Sequence, residues 1–140
     1  MRISDVMVKD PVKVDPDTSI REVARIMRDR SIGSVILVKD DKPVGIVTER
    51  DLVRRALASV RNLDSMKAFD ISSKPVATTS ELADVDLAID IMNDYKIRRL
   101  VIINEENKVV GILTTDDIWH NFRRLSEELA SKYMVLSRRK

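Results

Sequence analysis

The stretch Gly45-Ile46-Val47-Thr48-Glu49-Arg50-Asp51 returns later in the chain as Gly111-Ile112-Leu113-Thr114-Thr115-Asp116-Asp117. Both copies run from a glycine through apolar residues to a threonine, which an aspartate follows three residues later. The likeness extends outward from these two stretches, because residues 5–53 match residues 70–119 with an offset that drifts between 64 and 66. The chain is therefore an internal duplication, and each repeat predicts the structure of the other.

Each repeat contains an amphipathic helix ahead of this stretch. Apolar residues recur at i, i+3, i+4 and i+7, which is the spacing of one helical face. Ser19 with Glu22 predicts a capping box at the start of the first helix, and Asp84 predicts a cap at the start of the second. The apolar positions are Ile20, Val23, Ala24 and Met27 in the first repeat and Val85, Ala88, Ile89 and Met92 in the second.

Two strands and a second helix follow in each repeat. The apolar runs 35–38 and 100–103 do not alternate, which predicts strands that are covered on both faces. Polar turns then lead to return strands at 44–47 and 109–113, and second helices begin near Glu49, extending to about Ala58, and at Thr115. The fold class is therefore mixed, α/β or α+β, with the order β-α-β-β-α occurring twice.

The repeats are expected to depend on each other. Residues 1–58 form the first repeat, 59–67 the connector and 68–125 the second repeat. A unit of about 55 residues is marginal alone, so the two should pack face to face about a pseudo-two-fold axis. Clefts between packed units are the usual place for a small ligand.

A C-terminal helical extension, residues 126–140, outruns the closing helix of the first repeat. Apolar residues at helical spacing predict an extended helix over residues 116–136. We expect its apolar face to fold back on its own module or to pair with another chain as a homodimer. The spaced residues are Ile118, Phe122, Leu125, Leu129 and Tyr133.

Composition narrows the functional classes. The absence of cysteine excludes disulfides, thiolate nucleophiles and thiolate metal sites. The formal charge of +2 is too balanced for a dedicated nucleic-acid binder. No stretch approaches the roughly 20 apolar residues of a membrane span, and the charged first residues are unlike a signal peptide, so a cytoplasmic protein is expected.

No enzymatic site emerges from the residues. No set of side chains supplies a nucleophile, a base and an orienting group together, and phosphate-binding glycine loops are missing. His120 has no partner at metal-ligand spacing, so neither a metal nor a catalytic cofactor is expected.

The Thr-x-x-Asp pairs admit two interpretations. A threonine at a helix start lies beside unpaired N–H groups that suit phosphate or ribose oxygens, and the aspartate could accept both hydroxyls of a ribose. The preceding glycine would let a flat ring approach the backbone. The same pairs are also good capping boxes, which would stabilise their helices with no ligand present.

Two adjacent arginines favour ligand binding in the second repeat. Arg98 and Arg99 precede a predicted strand, and a guanidinium group matches a phosphate well. The first repeat has Gly33-Ser34 at these positions. We therefore expect inequivalent sites, in which the site with Thr114, Asp117 and Arg99 binds a phosphorylated ligand more tightly.

The two quoted stretches resemble the G-h-x-T-x-x-D signature that closes each cystathionine-β-synthase-type (CBS) domain. Pro11-Val12 and Ile97-Arg98-Arg99-Leu100 are also similar to family motifs, although Val101 stands where a proline is usual. The resemblance implies one Bateman module that senses an adenine nucleotide such as AMP or ATP. The implied contacts are Val12, Ile32, Ile46, Thr48, Asp51, Val76, Ile97, Arg98, Arg99, Ile112, Thr114 and Asp117, with the aspartates at the ribose and apolar residues at the base.

Other functions remain open at this stage. In related proteins the module regulates a fused enzyme or transporter, so here an unidentified effector protein would act in trans. S-adenosylmethionine or a related adenosyl compound is the second ligand, because the base pocket and aspartate would serve it equally. Nucleic-acid binding through Lys9, Lys13, Lys74 and the basic tail at residues 137–140 is the alternative from another class, without an aromatic stacking platform.

Overall fold

A computed structural model describes residues 1–59 and 62–137, so residues 138–140 of the basic tail lie outside the described residues. A short 3-10 helix, Ile3–Asp5, precedes the first strand. The remaining elements are β1 (Val8–Lys9), β2 (Lys13–Val14), α1 (Ile20–Arg30), β3 (Ser34–Lys39), β4 (Lys42–Thr48), α2 (Glu49–Asp51) with a π-helical continuation (Leu52–Leu57), α3 (Ala68–Ile71), β5 (Thr78–Ser80), α4 (Val85–Tyr95), β6 (Arg99–Ile103), β7 (Val109–Thr114), α5 (Thr115–His120) and α6 (Phe122–Ser137).

The two predicted amphipathic helices are confirmed as α1 and α4. The Ser19 hydroxyl accepts a hydrogen bond from the Glu22 N–H at 3.1 Å, as a cap should. The cap predicted at Asp84 is wrong, because its side chain makes no such bond. The Met1 carbonyl instead accepts from the Val85 N–H at 3.0 Å, so the N-terminal segment satisfies part of this helix start.

Each repeat contributes one sheet, and the two sheets face each other. The strand orders are β2-β3-β4 and β1-β7-β6-β5. Residues 35–37 and 100–102 are buried without alternation, which confirms strands covered on both faces. Ile36, Val101 and Ile112 meet in a layer between the sheets, while each sheet's helices build a separate core on its outer side.

The core of each repeat is completed by the first residues of the other repeat. Ile3 and Val6 are buried in the core of the second repeat, and β1 pairs antiparallel with β7. Ala68 and Ile71, just after the connector, are buried in the core of the first repeat. This exchange ties the halves together, because neither core closes with its own contiguous residues alone.

The helices that end the two repeats differ from the simple helices predicted. The first has the expected extent but winds as a π-helix over Leu52–Leu57, which widens it. The longer helix predicted over 116–136 is present but divided, because a turn at Asn121 separates α5 from α6. The Asn121 side chain donates to the Asp117 carbonyl at 2.8 Å and caps α5 there.

Two expectations from the sequence concern the helices: an apolar face on the C-terminal helix and the lack of a membrane span. The side chains of Leu125, Leu129 and Tyr133 lie outside the described residues, so the predicted apolar face of α6 stays a prediction. Along the described parts of the chain, every helix is too short or too polar to cross a bilayer.

Candidate functional site

Both signature stretches form the capping boxes that their sequence allows. The Thr48 N–H donates to Oδ2 of Asp51 at 2.9 Å, and the Asp51 N–H donates to Oγ1 of Thr48 at 3.3 Å. Thr114 and Asp117 form the same reciprocal pair at 2.9 and 3.1 Å. Helix capping is therefore real in both repeats, and any binding role is additional to it.

A cavity of about 710 Å³ opens between the repeats beside the first capping box. One wall comes from the end of β4 and from α2 with its π-helical continuation, and the other comes from the residues ahead of β6. Asp51 is only 7% exposed yet still lines this cavity. The cavity brings together six of the predicted site residues, Ile46, Thr48, Asp51, Ile97, Arg98 and Arg99.

The cavity is strongly cationic. Six basic side chains line it against the two carboxylates of Glu49 and Asp51. Such an excess raises the local concentration of anionic ligands and offers several charge-assisted donors to phosphate oxygens. The basic residues are Arg50, Arg54, Arg55, Lys96, Arg98 and Arg99.

Four of these cations were missed by the sequence analysis. Arg54 and Arg55 lie one helical turn beyond Arg50 and Asp51, so helical spacing from the signature could have found them. Lys96 lies directly before the Ile97-Arg98-Arg99 motif, at the left-handed residue that ends α4. Ser73, which also lines the cavity, carried no sequence signal.

The predicted grouping of Arg99 with Thr114 and Asp117 is wrong. Arg99 does stand opposite Thr114 in the sheet, but its long side chain crosses to the first repeat. A Cβ atom placed on Gly33 would lie 3.1 Å from Nη2 of Arg99. Strand register fixes where a Cα atom lies, whereas a long arginine side chain can adopt several rotamers that point in different directions.

The glycine of each signature makes room for the chain itself. A Cβ atom on Gly45 would lie 2.7 Å from Oγ of Ser72, and one on Gly111 would lie 2.5 Å from Sδ of Met7. The expectation that these glycines admit a flat ring is therefore wrong. They make room for the segments that pack on each repeat from the start of the other repeat. In the first repeat this packing also bridges Ser73 to Ile46 beside the cavity.

Arg55 connects the cavity to the segment that follows the connector. Its Nε lies 3.7 Å from Oδ1 of Asp51, and its Nη1 donates to the carbonyls of Ile71 and Ser72 at 3.4 and 3.5 Å. These carbonyls end α3, where a cation is favourable. Asp51 is thus held by Thr48 on one oxygen and faces Arg55 with the other.

The remaining predicted site residues lie elsewhere. Neither Thr114 nor Asp117 lines the 710 Å³ cavity. Val12 packs against the first core, and Ile32 lines a groove between α1 and the π-helical segment. Val76 and Ile112 belong to the layer between the sheets. No cluster of three potential metal ligands occurs within residues 1–59 and 62–137.

Two of the lysines considered for nucleic-acid binding are engaged within the chain. Lys13 pairs with Asp41 at 2.6 Å, and the Lys74 ammonium lies 3.7 Å from the centre of the Phe69 ring. Both contacts compete with phosphate, which weakens the support for this alternative.

Comparison with known proteins identifies the family that the duplicated motif resembles. The family model for the CBS domain matches residues 3–58 and 68–118. An uncharacterized protein of Methanopyrus kandleri is 40% identical over 117 residues, which are 83% of this chain and 60% of that protein. Inosine-5'-monophosphate dehydrogenase of Thermoplasma acidophilum is 33% identical over 117 residues, 84% of this chain but 23% of the enzyme. The chain thus spans less than two thirds of these relatives.

Two of the solved structures that resemble this chain are CBS proteins with bound adenosyl ligands. A CBS domain protein of Pyrobaculum aerophilum complexed with AMP is 28% identical with a TM-score of 0.81, and the match covers 94% of this chain and 99% of that one. A CBS domain pair complexed with 5'-methylthioadenosine and S-adenosyl-L-methionine is 29% identical with a TM-score of 0.78, over 87% and 95% of the two chains.

Proposed function

The chain belongs to the CBS domain family, and from this premise and the cavity between its repeats we propose that it is a regulatory module sensing an adenine nucleotide. The ligand would be AMP, ADP or ATP, bound beside Thr48 and Asp51. The module would transmit the bound state to an effector protein and catalyse nothing itself.

One observation carries this proposal: the cavity combines apolar side chains, a nearly buried carboxylate and six cations. Ile46 and Ile97 offer apolar contacts to a base, and Asp51 offers acceptor oxygens to a ribose. Arg98 and Arg99 offer guanidinium donors to phosphate. A nucleoside monophosphate combines these three chemistries, and the AMP complex of the Pyrobaculum relative supports this choice.

Regulation would follow from the position of the site. Its walls come from both repeats, so a bound nucleotide would favour the arrangement in which both walls contact it. Any effector that binds the two arrangements with different affinity would then respond to the ligand. Arg55 would extend this response to residues 71–72, because it contacts both Asp51 and their carbonyls.

S-adenosylmethionine is the second candidate ligand, favoured by the relative that was solved with this compound and 5'-methylthioadenosine. Asp51 and the apolar contacts would serve its adenosine equally. Its sulfonium carries a positive charge, however, and would enter a cavity with six cations at an electrostatic cost.

Calorimetric titration with AMP, ATP, adenosine and S-adenosylmethionine tests the proposal. We expect adenosine to bind at least about tenfold more weakly than AMP, because one or two charge-assisted bonds to phosphate contribute roughly that much. Arg98→Ala/Arg99→Ala should remove most of this preference, whereas Arg30→Ala, at the exposed end of α1, should preserve it. Tighter binding of adenosine or S-adenosylmethionine than of AMP would overturn the nucleotide assignment.

A further inference from the structure

Gly33 is the one glycine of the chain that lies outside both signature stretches. Its φ angle is not in the left-handed region, so the backbone conformation does not require a glycine here. A Cβ atom built on it would lie 2.9 Å from Oε1 of Glu49 and 3.1 Å from Nη2 of Arg99. The missing side chain therefore leaves a space that the ends of two charged side chains occupy.

The space beside Gly33 differs from the space beside the other two glycines. The nearest atoms at Gly45 and Gly111 belong to the segments exchanged between the repeats. At Gly33 the three nearest heavy atoms all belong to the side chains of Glu49 and Arg99, and both of these side chains line the 710 Å³ cavity. Gly33 thus shapes the wall of the cavity rather than the packing of the chain.

The duplication makes Gly33 the structural counterpart of Arg98. The Gly33 carbonyl accepts a hydrogen bond from the Glu49 N–H at 3.0 Å, and the Arg98 carbonyl accepts one from the Thr115 N–H at 3.0 Å. The backbone therefore follows the same course at both points. The first repeat has open space where the second repeat has an arginine side chain.

Two directions are open to the Arg99 side chain. Its Cα atom pairs with that of Thr114 in the sheet, so one direction stays within the second repeat. The other direction crosses to the first repeat, where the Glu49 carboxylate attracts the guanidinium because their charges are opposite. The crossing direction needs the space beside Gly33, since a guanidinium nitrogen lies there.

From these observations we propose that Gly33 is a positioning residue for phosphate recognition. The space beside its Cα atom lets Arg99 reach the cavity of the first repeat, and this gives the cavity part of its preference for a phosphorylated ligand. The role rests on the proposed nucleotide binding. A side chain at position 33 takes the place of the guanidinium, which then turns back toward Thr114. The loss falls on the phosphate contact, whereas the adenosine contacts near Asp51 stay as they are.

A graded pair of substitutions tests this role. Calorimetry with AMP and with adenosine gives the phosphate preference as the ratio of the two affinities. Gly33→Ala moves two flexible side-chain ends by a few tenths of an ångström, so the preference should fall about twofold, and the bulkier Gly33→Val should lower it about fivefold. Adenosine affinity should change less than about twofold in both variants, because no phosphate is involved. Ser34→Ala, at the next residue, should preserve both affinities.

A double-mutant cycle shows whether Gly33 acts through Arg99. Arg99→Ala removes the guanidinium, so Gly33→Val should then lower the preference by less than about 1.5-fold further. An equal effect of Gly33→Val with and without the Arg99 side chain would overturn the proposal, because valine would then act on the cavity or the fold directly. Equal losses of AMP and adenosine affinity in Gly33→Ala would overturn it as well.

The direction of the Arg99 side chain can also be measured without nucleotide. In NMR spectra of the unmodified protein, the Hε and Hδ protons of Arg99 should show nuclear Overhauser contacts to the Hα protons of Gly33. In Gly33→Val the same protons should contact the Thr114 methyl group instead. Contacts that stay at position 33 in the valine variant would overturn the proposal. An unmodified protein that shows the expected contacts but binds no AMP would refute the proposed function and leave the positioning of Arg99 intact.

Discussion

The two helix starts of the duplication share one motif but differ in their surroundings. Asp51 and Asp117 occupy matched positions and cap their helices with nearly equal geometry. Around Asp51 the chain gathers six cations and a cavity of about 710 Å³. Asp117 instead follows Asp116, and Asn121 stands where the first repeat has Arg55.

This difference separates what the signature does from what its neighbours do. Capping occurs in both repeats, so the Thr-x-x-Asp pattern by itself specifies a helix start. The cationic character of the cavity depends on residues outside the pattern, especially Arg54, Arg55 and Lys96, and on side chains that cross from the other repeat. A duplicated capping motif can therefore have different surroundings in the two repeats.

The largest expected effect comes from removing the two aspartates in turn. Asp51→Ala should weaken AMP binding about 100-fold, because ribose hydroxyls would lose a charged acceptor in a nearly buried position. Asp117→Ala should change the affinity by less than about threefold, although it removes an equivalent helix cap. Calorimetry on both variants measures the contrast.

A control for the two aspartate variants must separate the loss of charge from the loss of the helix cap. Asp51→Asn keeps an acceptor for the Thr48 N–H, so it separates loss of charge from loss of the helix start. Its affinity should lie between those of the unmodified protein and Asp51→Ala. Equal losses from Asp51→Ala and Asp117→Ala would mean that the two clefts bind alike, contrary to the asymmetry described above.

A smaller effect, on stability, is expected at the two glycines that contact the segments exchanged between the repeats. Gly45→Ala should lower the free energy of unfolding by about 2 kcal/mol, as overpacking does, because its Cβ would lie 2.7 Å from Oγ and 3.0 Å from Cβ of Ser72. Gly111→Ala meets the flexible end of Met7 at 2.5 Å but also the Val8 carbonyl at 3.0 Å, so a similar loss is expected. Urea denaturation measures both.

Nucleotide binding distinguishes the two glycine variants. Displacement of Ser72 by Gly45→Ala should also move Ser73, which lines the cavity, and so reduce AMP affinity several-fold. Gly111→Ala acts on the other side of the module and should preserve the affinity. Unchanged affinity in Gly45→Ala despite its lower stability would show that Ser73 is not part of the ligand contact.

The sequence predicted the fold well because its determinants are local. The i, i+3, i+4 spacing from Ile20 identifies α1, and duplication then identifies α4 without further information. The exchange of Ile3 and Ala68 between the cores was not predictable in this way. It depends on which sheet edge each segment reaches, and that edge exists only after both repeats have folded.

The site was less predictable than the fold. Ile97, Arg98 and Arg99 could be selected as residues, because their motif is contiguous in sequence. The partner of Arg99 could not be selected, since its guanidinium reaches across the repeats toward Gly33 rather than toward Thr114 beside it in the sheet. A long side chain near a pseudo-two-fold axis can reach either cleft, and its direction depends on the packing of the folded chain rather than on its position in sequence.

The smallest expected effect comes from replacing the two threonines. Because both cap a helix in the same way, any difference between the two variants reports on the surroundings of each helix start. Thr48→Ala and Thr114→Ala should each cost about 1 kcal/mol of the free energy of unfolding, the usual cost of a lost cap, and Thr→Ser should restore most of it. The two threonines differ in one respect. Among the hydrogen bonds of the described residues, the Thr48 hydroxyl donates to Oδ2 of Asp51 at 3.1 Å, whereas the Thr114 hydroxyl makes no such bond to Asp117. Thr48→Ala should therefore also reduce AMP affinity two- to threefold by loosening that carboxylate, roughly the effect of one weak hydrogen bond. Urea denaturation and calorimetry on the four variants test this, and equal affinities for Thr48→Ala and Thr114→Ala would limit the first repeat's advantage to the cations and Asp51.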